Sequence, residues 1–519
     1  MSEKQVLVLP RTVKRIKLVP PDGDWGWVIL IGIGVTNVFN RSMLSLFSLL
    51  YGDALEAMGH KTQGASIVLS AMLFVCSFSG PIAGALVKLT SARFVAVAGS
   101  FLSSLGIFVS GFSTNIIHLI ISYGVLIGIG LGFIQNASFV AINSYFKVKK
   151  SIAVGIAMAG TGIGQTVMPH VVRYLLDNYG FLGACLLLSA LSLHGIAGTL
   201  LIQPVEWHMK RVEEEVVIDE KKSLLENNCN TNDVVYKRTR RATIPSVLQE
   251  NGKQKVDSHK LLSQSFTQLQ QNDKSNVPTN EHITTNGNKI MSMLKNVYNL
   301  LDISLLSSPR FLNVIIGTSL NFASIQNFSM LYPLFLQRAA NMDKQETANC
   351  MSAVAIADII GRLALPQAQA KFNVSVKMTV ILSSICCLVV RQIFAYQTDM
   401  YVFLVLSLFY GISRSMVIVS RNIAITEECR MDQVASAVGL GMLTMGLIIP
   451  AAGYFLGWIR DYTGSYIVCI SAQNALLVLF LIMWIPDMLY QYYKEKKQKN
   501  RTDVTQLTQE REEMNSHKL

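Results

Sequence analysis

The chain has 519 residues, of which 51% are hydrophobic and only 15% charged, well below the roughly 25% of a typical soluble domain. That balance excludes a disordered chain and argues against an ordinary soluble enzyme of this length. The 45 Lys and Arg outnumber the 33 Asp and Glu, a net charge of +12, so nucleic acid has to be weighed as a partner until the charges are located.

Residues 1–24 are basic and carry no apolar stretch of signal-peptide length. Six apolar runs follow, at 25–51, 64–86, 94–114, 116–142, 151–172 and 181–203. Each is about 20 residues or longer, enough to cross a ~30 Å hydrocarbon core as a helix. The stretch 204–308 is polar and rich in Asn, Gln, Ser, Thr and Lys. It reads as a largely disordered loop, because it cannot bury enough apolar surface to fold alone. Helical periodicity returns over 290–306, as a short interfacial helix would show. Six more runs lie at 311–337, 346–367, 375–397, 400–424, 433–457 and 464–486, before a polar tail at 487–519. The expectation is an all-α membrane protein of twelve helices, with one six-helix bundle over 25–203 and another over 309–486. The eight cysteines show neither CxxC pairs nor metal-ligand spacing, and most lie in apolar runs as small buried hydrophobes.

Lysine and arginine bias sets the orientation. With the N-terminus inside, the short inner loops carry Lys88, Arg93, Lys147, Lys149, Lys150, Lys371, Lys377 and Arg430. The outer loops carry Lys61, Arg173, Arg338, Lys344 and Arg460. Both termini and the central loop are therefore expected in the cytoplasm. Four of the glycosylation-type sequons, at Asn40, Asn136, Asn327 and Asn373, fall in spans or an inner loop, which agrees. Two halves of six helices joined by a long inner link suggest the major facilitator architecture, with a site near the midplane between rocking halves.

Few charges remain inside the spans: Arg41, Asp358, Arg362, Arg391, Arg414 and Arg421. Each is costly at the bilayer centre unless paired or facing water. Arg421 is expected to reach the inner interface, and Arg391 the outer one by snorkelling. Asp358 and Arg362 are four apart and share a helical face. They read as a substrate anchor with a protonatable partner, or as a structural pair joining helices. Arg41 and Arg414 have no acid at helical spacing. A translocated organic anion would neutralise them, since guanidinium grips carboxylate in a planar fork. The positive excess thus becomes a topology signal in the tails and inner loops, where it faces anionic lipid, plus a buried field suited to an anion. Nucleic acid is not an expected partner.

Glycines at 155, 160, 162 and 164, and at 124, 128, 130 and 132, form small-residue surfaces for close helix packing. The first set lacks the Gly-Lys-Ser/Thr ending of a phosphate loop. Gln135, Asn136 and Asn143, with Asn321, Gln326 and Asn327, are polar groups in apolar runs. They bond between helices or contact substrate, and Asn136 is taken as a substrate candidate. No metal cluster, catalytic triad or nucleotide fingerprint stands out, so neither a cofactor nor an enzymatic activity is expected.

The segment Asp22-Gly23-Asp24-Trp25-Gly26-Trp27 resembles the first signature of the monocarboxylate transporter family, Asp-Gly-Gly-Trp-Gly-Trp. The segment from Tyr145 and Phe146 through Lys149, Lys150 and Gly155 to Gly160 is similar to its second signature. Gly80-Pro81-Ile82, the Asp358/Arg362 pair and the link Gly457 to Tyr466 fit as well. The resemblance implies alternating access for small organic acids or related solutes. Proton-coupled members use a span-one Lys with the span-eight Asp/Arg pair. That Lys position falls on Ser45 here, with Arg41 one turn earlier, so the resemblance leaves proton coupling open. Other members carry aromatic amino acids without a proton. Several need a single-span immunoglobulin-type partner to reach the plasma membrane. The chain therefore reads as a plasma-membrane carrier of a small organic anion, with Arg362, Arg414 and Arg41 holding the anion. A facilitative carrier of amphipathic solutes and a non-transporting sensor or scaffold are the alternatives.

Overall fold

A computed structural model of the chain describes residues 11–59, 62–218, 295 and 298–516. Most of the stretch expected to be disordered, 219–294, lies outside the described residues.

The first run is two helices, α1 (Trp25–Thr36) and α2 (Met43–Ala57), joined by a π-helical turn at Asn37–Arg41. Then come α3 (Thr62–Leu89), α4 (Ala92–Ser110), and α5 (Ile116–Leu119), which runs through a second π-helical stretch (Ile120–Ile127) into α6 (Gly128–Tyr145). Helix α7 (Lys150–Ser192) turns at Gly180, whose φ of 65° only glycine adopts easily, and α8 (His194–Leu200) completes the first half. The second half comprises α9 (Pro309–Arg338), α10 (Lys344–Lys371), α11 (Val376–Phe394), α12 (Met400–Glu427), α13 (Val434–Thr463) and α14 (Tyr466–Ser516). The last helix continues past the apolar run into the tail expected to begin at 487. Among the described residues, nine helices are long and apolar enough to cross a membrane. One of the nine, Lys150–Leu200, contains the Gly180 turn. The broken first run and the Asn- and Gln-bearing α9 fall outside that measure.

Local chemistry places the helix starts. Ser91, Asn115, Ser308, Ser375 and Asp399 each accept a hydrogen bond from a first-turn N–H, the usual satisfaction of donors left over at a helix start. Asp343 and Glu346 form a reciprocal capping box on α10. Large apolar side chains such as Ile31, Phe94, Phe101, Leu382 and Ile482 point away from the bundle and are exposed. A lipid-facing surface has this character, and a water-facing one does not.

Each half has an aromatic core of its own, built to one plan. In the first half, Phe47 stacks on Tyr51 and meets Tyr123 at 4.7 Å between centroids. In the second, Phe328 stacks on Tyr332 and meets Tyr410 at 4.9 Å. A third apolar cluster is shared by both halves and includes Phe146, Ala153, Val154, Val434, Ala437 and Val438.

Strands β1 (Arg11–Val19) and β2 (Lys210–Ile218) pair as a two-stranded sheet within a separate compact unit. The sequence reading expects no strand in either segment. Both mix charged and β-branched residues without strict alternation, so the two-residue period that marks a strand is missing.

Candidate functional site, a cavity between the two halves

The two halves seal against each other at one end of the bundle. There α3 meets α13, and α7 meets α10. A Cβ on Gly84 would stand 2.5 Å from the Ala435 carbonyl oxygen, and one on Gly439 would stand 2.6 Å from that of Gly80. A Cβ on Gly155 would collide with the Arg362 carbonyl. Small residues at these positions let backbones touch across the interface.

Beyond the seal the halves part around a cavity of about 430 Å³. Helix α3 lines it with Met72, Leu73, Cys76 and Ser77, and α6 contributes Leu131 and Gln135. From the second half come Phe322, Gln326, Asn327 and Met330 of α9, and Met442, Met445, Ile449 and Tyr454 of α13. Among the described residues its cationic lining residues are Arg41 and Arg421, and none of the lining residues is a carboxylate.

Arg41 ends the π-helical turn. Such turns displace the helical phase by one residue and re-aim a side chain. Two buried asparagines hold this one: Asn37 donates to the Ala157 carbonyl at 2.8 Å, and Asn40 donates to the Ser192 carbonyl at 3.3 Å. The Ser192 hydroxyl returns a bond to Asn40 at 2.6 Å. Arg41 has no ion pair among the described residues.

Arg421 differs from its sequence reading as an interfacial anchor. Helix α12 continues to Glu427, so Arg421 lies about 9 Å inside its end at 1.5 Å per residue. It is buried, with Nε donating to Asn422 at 3.2 Å and Nη1 to the Met445 sulfur at 3.0 Å. Its guanidinium lies 4.4 Å from the Phe322 ring centre. The apolar run ends at 424, and the helix outlasts it by three residues, which places Arg421 deeper than the run alone implies.

The other candidates lie outside the cavity lining. Asp358 and Arg362 pair at 2.5 Å, both nearly inaccessible, and Arg362 also donates to the Met158 carbonyl of α7 at 2.7 Å. The pair thereby ties the two halves at the seal. Asp358 Oδ1 and Arg362 Nε have no partner among the described residues. Arg414 is half-buried, its Nε likewise unpartnered. Asn136 is buried, and its amide donates to Gly80 and to Ala435, both at 3.1 Å, bridging the halves. Arg391 does not snorkel. It is 0% exposed, bonded to Ser324 and Tyr410, with its guanidinium 4.5 Å from the Phe328 ring centre.

The two signature segments form one joint. The Asp22 carboxylate accepts from the backbone N–H groups of Lys147, Val148 and Lys149, at 2.6, 2.8 and 3.3 Å. Its own N–H donates to the Tyr145 carbonyl at 3.1 Å. Trp27 meets Phe146 edge-on at 5.4 Å, and a Cβ on Gly26 would strike that ring. Trp25 donates to the Leu201 carbonyl. Lys150 reaches Thr426 across the seal at 3.3 Å, and Gly160 packs on the backbone of Gly34.

Residues 30–454 match the family model of the Major Facilitator Superfamily. The chain belongs to that superfamily and is a multi-pass membrane protein. It is 32% identical to rat (Rattus norvegicus) monocarboxylate transporter 13 over 186 residues, 36% of this chain and 44% of that protein. It is 31% identical to human monocarboxylate transporter 11 over 175 residues, 34% of this chain and 37% of that protein. The chain thus spans less than half the length of these relatives. Among solved structures, it resembles the human organic anion transporter TETRAN with a TM-score of 0.57 and 14% identity, over 90% of this chain and all of that one. The Escherichia coli fucose:proton symporter gives 0.54 and 13%, over 88% and 96%. At these identities the likeness is one of fold.

Proposed function

We propose that this chain is a secondary transporter, carrying a small organic anion of monocarboxylate-like chemistry across the plasma membrane by alternating access. The observation that carries the reading is the cavity between the halves, which among the described residues holds cations and no carboxylate. A buried guanidinium without a counter-charge is costly in a membrane, and a carboxylate substrate removes that cost through a bidentate fork. Relatives named monocarboxylate transporters support the solute class.

With both termini cytoplasmic, as the lysine and arginine bias suggests, the sealed end is the inner one and the cavity faces outward. Substrate binds at Arg41, and the halves rock until the seal opens. Opening removes the Met158 carbonyl from Arg362, and Gly80 or Ala435 from Asn136. Those donors, with Arg414, then become anion contacts of the inward-facing state. With Arg362 turned to the anion, Asp358, its neighbour on the same helix, is the group that can take a proton.

Uptake into proteoliposomes across a panel of monocarboxylates, with and without an inward proton gradient, tests this. Uptake should fall at least about tenfold in Arg41→Gln, the worth of one charge-assisted bond. If folded, inserted protein accumulates no solute, the carrier reading fails, and tight binding without flux would favour a sensor.

The second reading, a proton-independent carrier of aromatic amino acids or similar amphipathic solutes, is favoured by Phe322 and Tyr454 in the lining and by the lack of a carboxylate there to take a proton. Uptake indifferent to the gradient would select it. Surface delivery with and without a single-span immunoglobulin-type partner decides whether one is needed.

A further inference from the structure

Arg421 has no part in the family resemblance, yet it faces the same cavity as Arg41. The two come from opposite halves, one from the π-helical turn and one from α12. Neither pairs with a carboxylate among the described residues. Their like charges repel, so matching both takes two negative charges.

Arg421 is held ready for a ligand. Its Nε is occupied by Asn422, and one face rests on Phe322. The acceptor of Nη1 is a thioether sulfur, a weak acceptor for so strong a donor. The remaining N–H groups of a guanidinium fixed on two sides suit an entering oxyanion without loss of side-chain freedom. Contrast Arg362, whose charge is already matched by Asp358.

The lining also carries adaptable apolar side chains from both halves, among them Met72, Met442 and Ile449. Methionine accommodates varied shapes. A cavity of about 430 Å³ falls within the ordinary range for small-molecule sites. A monoanion would neutralise one guanidinium and leave the other unmatched in a low-dielectric site.

We propose that the cavity selects organic dianions with an apolar middle, such as α,ω-dicarboxylates, gripped at one end by Arg41 and at the other by Arg421. This inference rests on the transporter reading and replaces its monocarboxylate-like solute with a dianion. Because the grip joins one half to the other, such a ligand also stabilises the two halves against each other while bound.

The test uses the purified full chain in liposomes. Succinate, adipate and suberate are compared with butyrate, hexanoate and octanoate as uptake substrates and as ligands that raise the melting temperature. The diacids should be preferred by about ten- to a hundredfold, as one additional charge-assisted contact commands. In Arg41→Gln and in Arg421→Gln that ratio should fall towards one, whereas Arg421→Lys, which keeps the charge, should retain part of it. The wild-type ranking needs no variant, so a misfolded variant leaves the test intact. Equal or better handling of monoacids by the wild type overturns the dianion proposal alone. A preference that survives both glutamine variants overturns the two-point grip. If neither series binds or moves, the transporter reading falls, and this inference with it.

Discussion

One interface joins the two halves of this molecule, and its two ends are built from opposite materials. At the sealed end the contacts are backbone on backbone, through Gly80, Gly84 and Gly439, and through Gly155 against Arg362. Buried side chains of both halves merge there into one apolar cluster. At the cavity end each half keeps its own aromatic core, Phe47 with Tyr123 on one side and Phe328 with Tyr410 on the other. Between them stand methionines and two guanidiniums. Glycine surfaces seal because nothing projects from them, so the backbones themselves come into contact there. A cavity wall carrying charge cannot seal in the same way without a counter-ion.

The largest effect should come from the ion pair stitched into the seal. Asp358→Ala leaves Arg362 buried with only the Met158 carbonyl as partner. Removing one member of a buried pair costs about 3–5 kcal/mol, so the melting temperature in detergent should drop steeply. The double variant Asp358→Ala with Arg362→Leu should recover much of the loss, because no orphan charge remains. A double variant as unstable as the single would mean that Arg362 contributes mainly through Met158, and that the seal depends on that bond more than on glycine packing.

Next in size is Gly84→Leu, which puts a side chain where the Ala435 carbonyl lies. Overpacking of this kind costs about 1–3 kcal/mol, and here it should be felt as opening of one end rather than general unfolding. Cys429, just past α12 at the sealed end, reports on this. Burial pushes its thiol up to about 11, against some lowering by Lys150. Since the thiolate is the reactive form, Cys429 should label slowly at neutral pH in the wild type. Opening the seal removes the burial, brings the titration down towards the ordinary thiol value, and speeds maleimide labelling at that site. Peptide mapping at several pH values reads both changes. Unchanged labelling would show that the glycine contact does not keep this end closed.

Much of this arrangement was legible in the sequence, for identifiable reasons. Apolar runs of membrane length announce helices, and Asp358 and Arg362 announce a pair because four residues return to one helical face. The glycine sets correctly pointed to close packing, since little else explains them in an apolar run. What stayed hidden depends on contacts between segments far apart in the chain. Arg421 looked interfacial because the run end was set three residues short of where α12 stops. Arg391 looked free to snorkel, yet Phe328 and Tyr410, from two other helices, enclose it. The repeated Phe-Tyr-Tyr cores escape notice because their third members come from distant helices. The π-helical turn that aims Arg41 leaves no mark in hydropathy, because it changes phase and not composition.

The smallest effect should appear at the joint beneath the sealed end. Where the resembling signature has glycine, this chain has Asp24, with φ 48° and ψ −123°. A non-glycine residue in such a conformation costs of order 1–3 kcal/mol. Asp24→Gly should therefore raise stability, against the loss of an exposed 3.0 Å ion pair with Lys210, which is worth at most about 1 kcal/mol. The expected net is a gain of about 1 kcal/mol, a rise of a few degrees in melting temperature. Repeating the measurement at high salt screens the ion pair, so the gain should grow there. The Asp22 contacts to Lys147, Val148 and Lys149 are untouched by the change, so closure of the sealed end, read by Cys429 labelling, should stay as in the wild type. A loss of stability at both salt concentrations would show that the Asp24 carboxylate holds the joint together, and that the sealed end depends on charge where the glycine contacts suggest it depends on shape.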